Sequence, residues 1–476
     1  MNSFAEIQGR LPIALAANRP DSATDHVVVA LPSSSVGESL LSHYQDRIPV
    51  LEHRYLVAAL MLGRLPQCEL VFVASRDPGR EVLDYYASLL PQDGRTILRE
   101  RLHVVVVPDL SARSVAATLL DRRDLLNDIK QLIGNRPAVI EPWNVSDAEV
   151  NVALALGVPI NGSSPDVWPV GFKSAGRRLF RQAGVPVPVG VEDLQSLADV
   201  AAGIERIRRS RPDLDAVILK LDDSGAGDGN VVIDVRSSDV RETLARLPEW
   251  YITDLSAGGV VEERVSGLRF ASPSAQIDVL PGGQVAVLAT HEQVVGPDGQ
   301  VYTGCRFPAG PAYSAQIAEH ALATGRVLAD KGAIGRASVD FAATQDASGH
   351  WQVFALEVNL RKGGTTHPYA VLRNAVPGTY EIAEGCWRIP QGGSRCYSAT
   401  DNLMDPAWTG LPSKDAISAV KAAGLDFRPS AGTGVVLHML SGLGIDGRLG
   451  LTAIAETPEH AERLLTDTRD AIGAVT

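Results

Sequence analysis

The stretch from Asp340 to Tyr369 decides how this chain is read: residues 340–344 are DFAAT, 346–350 are DASGH and 351–369 are WQVFALEVNLRKGGTTHPY. Two apolar runs of strand character flank a short polar turn, which is hairpin chemistry. Asp340 lies in the first run, and Glu357 and Asn359 stand two residues apart near the end of the second. Side chains at i and i+2 of a strand project from one face. Glu357 and Asn359 therefore aim at one point, and antiparallel pairing brings Asp340 toward it. Two carboxylates and an amide oxygen make an oxygen-only donor set, suited to Mg²⁺ shared with phosphate oxygens. Arg361 lies one further step along the same face, and Gly363-Gly364 lets the backbone turn closely around a ligand. The alternative, a solvated polar hairpin end, fits poorly with Leu356 and Val358 interleaving the polar positions.

Upstream segments agree. Lys173 opens a helical pattern that Gly184 and the Pro186/Pro188 pair stop. Residues 216–221 read AVILKL, a strand whose Lys220 is costly to bury without an anion. The loop 222–230, DDSGAGDGN, joins it to a second strand at 231–235. Because strand rather than helix follows its glycines, it differs from the dinucleotide fingerprint. It fits a hairpin whose backbone N–H groups fold over phosphates, through Ser224, Gly225, Gly227 and Gly229; a mobile turn is the alternative. Residues 258–267, GGVVEERVSG, end a further strand in Glu262-Glu263.

The ordered set Lys173, Lys220, glycine loop, Glu262, Asp340, Glu357, Asn359 resembles the ATP-grasp superfamily of carboxylate–amine ligases, over roughly residues 160–375. The resemblance implies ATP, with two Mg²⁺ held by Asp340, Glu357 and Asn359, and phosphates neutralised by Lys173 and Lys220. Glu262, Glu263 and Val265 would serve the adenine hinge. Arg269 stands where related chains place a ribose-binding Glu, which leaves the ribose to Glu263 or to a residue elsewhere. Arg361, Arg306 and Arg336 are the catalytic arginines expected around the transferring phosphoryl group and the oxyanion; a surface salt bridge is the alternative for Arg306. His367, before Pro368, reads more readily as structural than as a general base, and His291 more so. Residues 302–308, 364–368 and the tail are similar to peptide ligases of pheganomycin-type biosynthesis. That likeness implies an acyl phosphate made from an amino-acid carboxylate, attacked by the amine of a peptide or amino acid, with ADP and phosphate released in natural-product biosynthesis. A ligase of primary metabolism with another acceptor, or a non-catalytic nucleotide-binding protein, are the alternatives.

The chain has 476 residues, too many for one core. The expected class is α/β. A parallel-sheet, Rossmann-like domain is expected over 1–165, from Val-rich runs alternating with helical patterns. A small lysine-bearing subdomain is expected over 166–250, the hinge and metal-site subdomain over 251–395, and an α+β domain over 396–476. A net charge of −12 argues against nucleic acid and anionic membranes as partners. Four cysteines without a C-x-x-C pair read as reduced thiols of a cytoplasmic protein. No apolar run approaches the ~20 residues a bilayer requires. The partners expected are small carboxylates, amines or peptides, with a homodimer as an option.

Overall fold

The computed structural model describes residues 3–34, 45–91, 93–108, 111–224, 229–236, 239–296 and 302–475. The Val-rich runs fold as four parallel strands, β1 (His26–Leu31), β2 (Cys68–Ala74), β3 (Leu102–Val106) and β4 (Ala138–Pro142), in the order β3-β2-β1-β4. A parallel sheet is covered on both faces, so its central strands read as continuous apolar runs. Thus Val27, Val29 and Leu31 pack with Ile129 and Val152 on one side, and Val28 and Ala30 with Leu56 and Leu60 on the other. Between β3 and β4 run two helices, Val115–Leu120 and Arg123–Ile133. Just past β1, Ser33 is buried and accepts from the Ala116 N–H at 3.2 Å.

A second, antiparallel sheet contains β5 (Gly190–Val191), β6 (Ala216–Leu221), β7 (Asn230–Asp234) and β8 (Gly259–Glu263), in the order β5-β8-β6-β7. The apolar stripe of helix Leu197–Ser210, with Val200, Ile204 and Ile207, seals it against Leu219 and Val261. The glycine loop joins β6 to β7, as read from sequence, but Gly225 and Gly227 lie outside the described residues.

The remaining strands are β9 (Arg269–Ala271), β10 (Pro273–Val279), β11 (Val285–Val295), β12 (Tyr302–Phe307), β13 (Gly335–Gln345), β14 (Trp351–Asn359), β15 (Thr379–Glu381), β16 (Cys386–Arg388), β17 (Ser394–Met404), β18 (Gly434–His438) and β19 (Arg448–Ala455). They form one sheet with the central order β14-β13-β10-β11-β12-β17, which β19 and β18 extend beyond β17. Strands from the tail thus continue the sheet that carries Asp340 and Glu357. Helix Ser314–Asp330 covers one face, packing Ile317, Ala321 and Leu328 over Ile277, Val339 and Phe341. The opposite face carries polar side chains, and it is there that the site lies. Among the described residues no helix is long and apolar enough to cross a membrane.

Candidate functional site

The β13–β14 hairpin sets the first cluster. Its register pairs Asp340 with Glu357 and Ser338 with Asn359, and cross-strand partners share a face. The Asn359 amide donates to Asp340 Oδ2 at 3.1 Å, and the Gln293 amide from β11 donates to Asp340 Oδ1 at 2.9 Å. Burial and the neighbouring Glu357 charge push the Asp340 carboxyl up to about 6. Burial opposes the Glu357 charge too, but Lys173 outweighs it and holds that carboxyl below its ordinary value. Lys173 Nζ lies 2.7 Å from Glu357 Oε1, so a cation already stands beside the paired carboxylates. This oxygen-rich, mutually repelling set fits a divalent cation.

Lys173 is the first residue of helix Lys173–Gln182, where the helix dipole also favours anions. Asp222, at the root of the glycine loop, fixes that end: its Oδ1 accepts from the Ser174 N–H and hydroxyl, each at 2.8 Å. Lys173 Nζ also donates to the Ser224 carbonyl at 2.8 Å. A Cβ on Gly229 would fall 2.6 Å from Ser224 Cβ, so glycine is what lets the loop close here. Lys220 projects from β6 beside β8, where Gly259 to Glu263 pair with Leu221 to Val217. Lys220 forms an ion pair with Glu262, and the other Glu262 oxygen takes Arg177. Arg177 also bonds Glu192 and the Pro188 carbonyl, each at 2.7 Å. Lys220, Glu262 and Arg177 are all buried.

Three sequence expectations are corrected. Arg306 sits opposite Glu292 on β11, next to His291 but on the other face from it. Since His291, Ser274 and Asp340 form one cross-strand row, Arg306 is on the face away from the carboxylates. It is half-exposed and pairs with Glu462, the salt bridge that was its alternative. Glu263 follows Glu262 and so faces the other way; its Oε1 accepts from the Val189 N–H at 2.8 Å and its Oε2 pairs with Arg211 at 3.1 Å. Both oxygens are thus engaged within the protein. Glu262 likewise has both oxygens engaged, so its side chain acts on Lys220 rather than on adenine. Val265 lies just past β8, half-buried. Arg336 shares the Asp340 face but is tied to Asp278 at 2.6 Å and to Gln276 at 3.1 Å. Arg361 stacks over Trp143 at 4.9 Å from the ring centroid.

Arg336 and Lys362 border a cavity of about 350 Å³. Its walls are the carboxyl end of β4 (Glu141, Trp143), the 3₁₀ helix Arg54–Gly63 and the helix Thr366–Ala375. Ligands of open α/β sheets collect beyond such strand ends. Lys362 Nζ pairs with Glu141 at 2.7 Å, tying the segment after β14 to the parallel sheet. Behind the wall, His367 Nε2 meets Asp401 Oδ1 at 2.8 Å, and Arg54 meets Asp401 Oδ2 at 2.9 Å. His438 Nδ1 lies 3.7 Å from the same carboxylate. Burial lowers both histidines, His438 to about 3. Burial also opposes the Asp401 charge, but His367 and Arg54 overcome it and hold that carboxyl far below its usual range. The arginine already balances Asp401, and His367 is 1% exposed. The structural reading of His367 therefore fits, and sequence reasoning missed its partners because they come from three distant segments. His291 is fully buried against Tyr397 at 2.6 Å.

The chain is 31% identical over 451 residues to the L-propargylglycine–L-glutamate ligase of Streptantibioticus cattleyicolor, spanning 88% of this chain and 90% of that enzyme. Residues 415–468 match the family described as the PGM1 C-terminal domain. The fold is similar to that of a Campylobacter jejuni biotin carboxylase β,γ-ATP complex, with TM-score 0.58, 12% identity and 97% and 96% of the two chains covered. It is also similar to an N5-carboxyaminoimidazole ribonucleotide synthetase in complex with ADP, with TM-score 0.53, 12% identity and 95% and 97% covered. The chain belongs to the ATP-grasp carboxylate–amine ligases, the enzyme family that forms carbon–nitrogen bonds and includes the L-propargylglycine–L-glutamate ligase.

Proposed function

We propose that this enzyme uses ATP to activate an amino-acid carboxylate as an acyl phosphate and joins it to the amine of an amino acid or peptide, in the assembly of a peptide natural product. The observation that carries the reading is the convergence of Lys173, Glu357, Asp340 and Asn359, with Lys173 Nζ 2.7 Å from Glu357 and Lys220 beside the glycine loop. Catalysis of phosphoryl transfer is mainly positioning and charge neutralisation. Lys173 and Lys220 hold the nucleotide phosphates, Ser224 and Gly229 belong to the loop that closes over them, and the backbone after Glu262, through Val265, meets the base. Asp340, Glu357 and Asn359 would hold Mg²⁺, two ions in the full site. Held there, the metal would supply positive charge to offset that of the phosphates. Arg361, on the same strand end, faces the transferring group and the oxyanion that forms as the amine attacks. A carboxylate oxygen takes the γ-phosphorus and ADP leaves; the amine then takes the carbonyl carbon, phosphate leaves, and the nitrogen loses a proton. Four free cysteines, three of them buried, fit a reducing cytoplasm.

The relative named above bears L-propargylglycine and L-glutamate in its name, and these are the first substrates to try. With ATP, Mg²⁺ and a panel of amino acids, hydroxylamine in place of the amine should trap the activated acid as a hydroxamate, with ADP as the nucleotide product. AMP as product would overturn the acyl-phosphate mechanism. Tight ATP binding with no turnover across the panel would favour a non-catalytic nucleotide-binding role.

A further inference from the structure

The charges around the 350 Å³ cavity do not balance internally. Arg336 is matched by Asp278, Lys362 by Glu141, and the His367 ring by Asp401. Arg64 and Arg373 also line the cavity. Arg64 donates to the backbone carbonyl of Arg373, and among the described residues neither arginine has an ion-pair partner. Burial and the Arg373 charge lower the Arg64 pKa. The Arg373 charge reaches Asp278, but both oxygens of that carboxylate are already taken by Arg336. Two arginines that line one cavity, neither paired with a carboxylate, offer a seat for an anion. Their planar forks suit a carboxylate. The remaining walls are apolar or amphipathic, with Val28, Val57, Met61 and Tyr55 among them, so the pocket accepts a side chain as well as an anion.

We infer that Arg64 and Arg373 seat a carboxylate that takes no part in the reaction, belonging to an amino-acid substrate whose reactive end lies toward Arg361 and the metal strand. This rests on the ligase reading above. The carboxylate has two sources: the α-carboxylate of the amine-bearing amino acid, or the second carboxylate of an acidic acyl donor. The pair therefore sets substrate class, selecting amino acids over plain amines or monocarboxylic acids.

The test uses the full chain with ATP, Mg²⁺, L-glutamate and L-propargylglycine, following ADP release. L-Propargylglycine is also supplied with its carboxylate masked as the amide, and L-glutamate with its α- or its γ-carboxylate masked, the form that abolishes turnover being the one that lacks the activated carboxylate. Wild type is compared with Arg64→Gln and Arg373→Gln, whose melting temperatures are measured first; Arg373 is exposed and Arg64 half-buried, so both should fold as wild type. In wild type, masking one of the two substrates should raise its KM at least tenfold, and that substrate is the source. In Arg373→Gln, the unmasked form of that substrate should lose the same factor and its amide almost nothing, with KM for ATP unchanged. Wild-type KM values for both amino acids in both variants would overturn the inference, as would equal losses on masked and unmasked forms. If these two amino acids give no product, the comparison moves to whichever acids form hydroxamates in the panel. Hydroxamate formation that ignores both arginines and all masking would overturn the inference while leaving the ligase reading intact. Absence of ADP with every acid would instead remove the ligase reading on which it stands.

Discussion

Replacing Glu262 by Gln removes one negative charge that two buried cations share. The side chains of Lys220, Glu262 and Arg177 are 8%, 2% and 3% exposed. Breaking a buried pair by removing one partner costs about 3–5 kcal/mol, because the surviving charge is left desolvated. Arg177 keeps Glu192 at 2.7 Å, so most of the damage falls on Lys220 and the lower figure, about 3 kcal/mol, applies to the nucleotide-free protein. A bound nucleotide supplies the missing anion. In wild type, phosphate must compete with Glu262 for Lys220; in the variant it is the natural partner. The stabilisation by saturating ATP and Mg²⁺ should therefore be larger in Glu262→Gln than in wild type, by at least about 1.4 kcal/mol, equivalent to tenfold in affinity. Thermal and urea melts, with and without nucleotide, measure both terms. An unchanged nucleotide-free melt would refute the burial argument. A nucleotide effect no larger than that of wild type would show that Glu262 positions Lys220 for phosphate rather than competing with it.

Other outcomes follow from the same geometry. Asp340 titrates at about 6 in the folded chain, above the ordinary carboxyl, so between roughly pH 4 and 6 the native state holds a proton that the unfolded state has lost. Its contribution to stability thus falls as pH rises through that window, and Asp340→Asn should stabilise the metal-free protein at pH 8, by at most about 3 kcal/mol and less for a half-buried group, with no gain at pH 4. Metal binding runs the other way, since it needs the ionised carboxylate: Mg²⁺ affinity should drop about tenfold from pH 7 to pH 5, and a flat profile would remove Asp340 from the ligand set. Lys220→Ala should weaken ATP binding by an order of magnitude or more while leaving carboxylate binding untouched, read by calorimetry. Arg306→Ala should keep wild-type turnover, because its only ion-pair partner among the described residues is Glu462 on the far face; a large loss would restore it to the site.

The hairpin was legible because its information is local. Alternation, a polar turn and the i, i+2 spacing of Glu357 and Asn359 suffice to fix a face, and the register adds Asp340. The four parallel strands were legible for a similar reason, since a strand buried on both faces reads as an unbroken apolar run. Arg306 was not, because its face depends on how β12 pairs with β11, and that ladder shifts register between Val294 and Val295. A one-residue slip reverses every side chain. The engagement of Glu262 by Lys220 required knowing that β6 and β8 are neighbours. The cavity was invisible for a stronger reason: Arg64 and Arg373 are 309 residues apart in sequence, and Asp401 and His438 reach the same wall from the tail. No local pattern carries such a meeting.

One consequence of the paired charges joins the metal to the nucleotide. Lys173 Nζ is shared between Glu357 and the Ser224 carbonyl, and its three donors point where the neighbouring groups require. On the ligase reading, a divalent cation bound at Glu357 would draw that carboxylate from Lys173 and leave Lys173 free for phosphate, so metal and nucleotide would be coupled through a single side chain. Glu357→Gln separates the two roles. With Mg²⁺ present, the variant should release no ADP, since the neutral amide leaves the metal underbalanced. Without any divalent ion, it should bind ATP more tightly than wild type, by about threefold to tenfold, because Lys173 no longer answers to a carboxylate; about 1.4 kcal/mol, one decade, is an ordinary magnitude for a coupling of this kind. Calorimetry in EDTA measures the second effect and a phosphate-release assay the first. Weaker metal-free binding in the variant would mean that Glu357 holds Lys173 in place for the nucleotide, and full turnover would remove Glu357 from the metal site altogether.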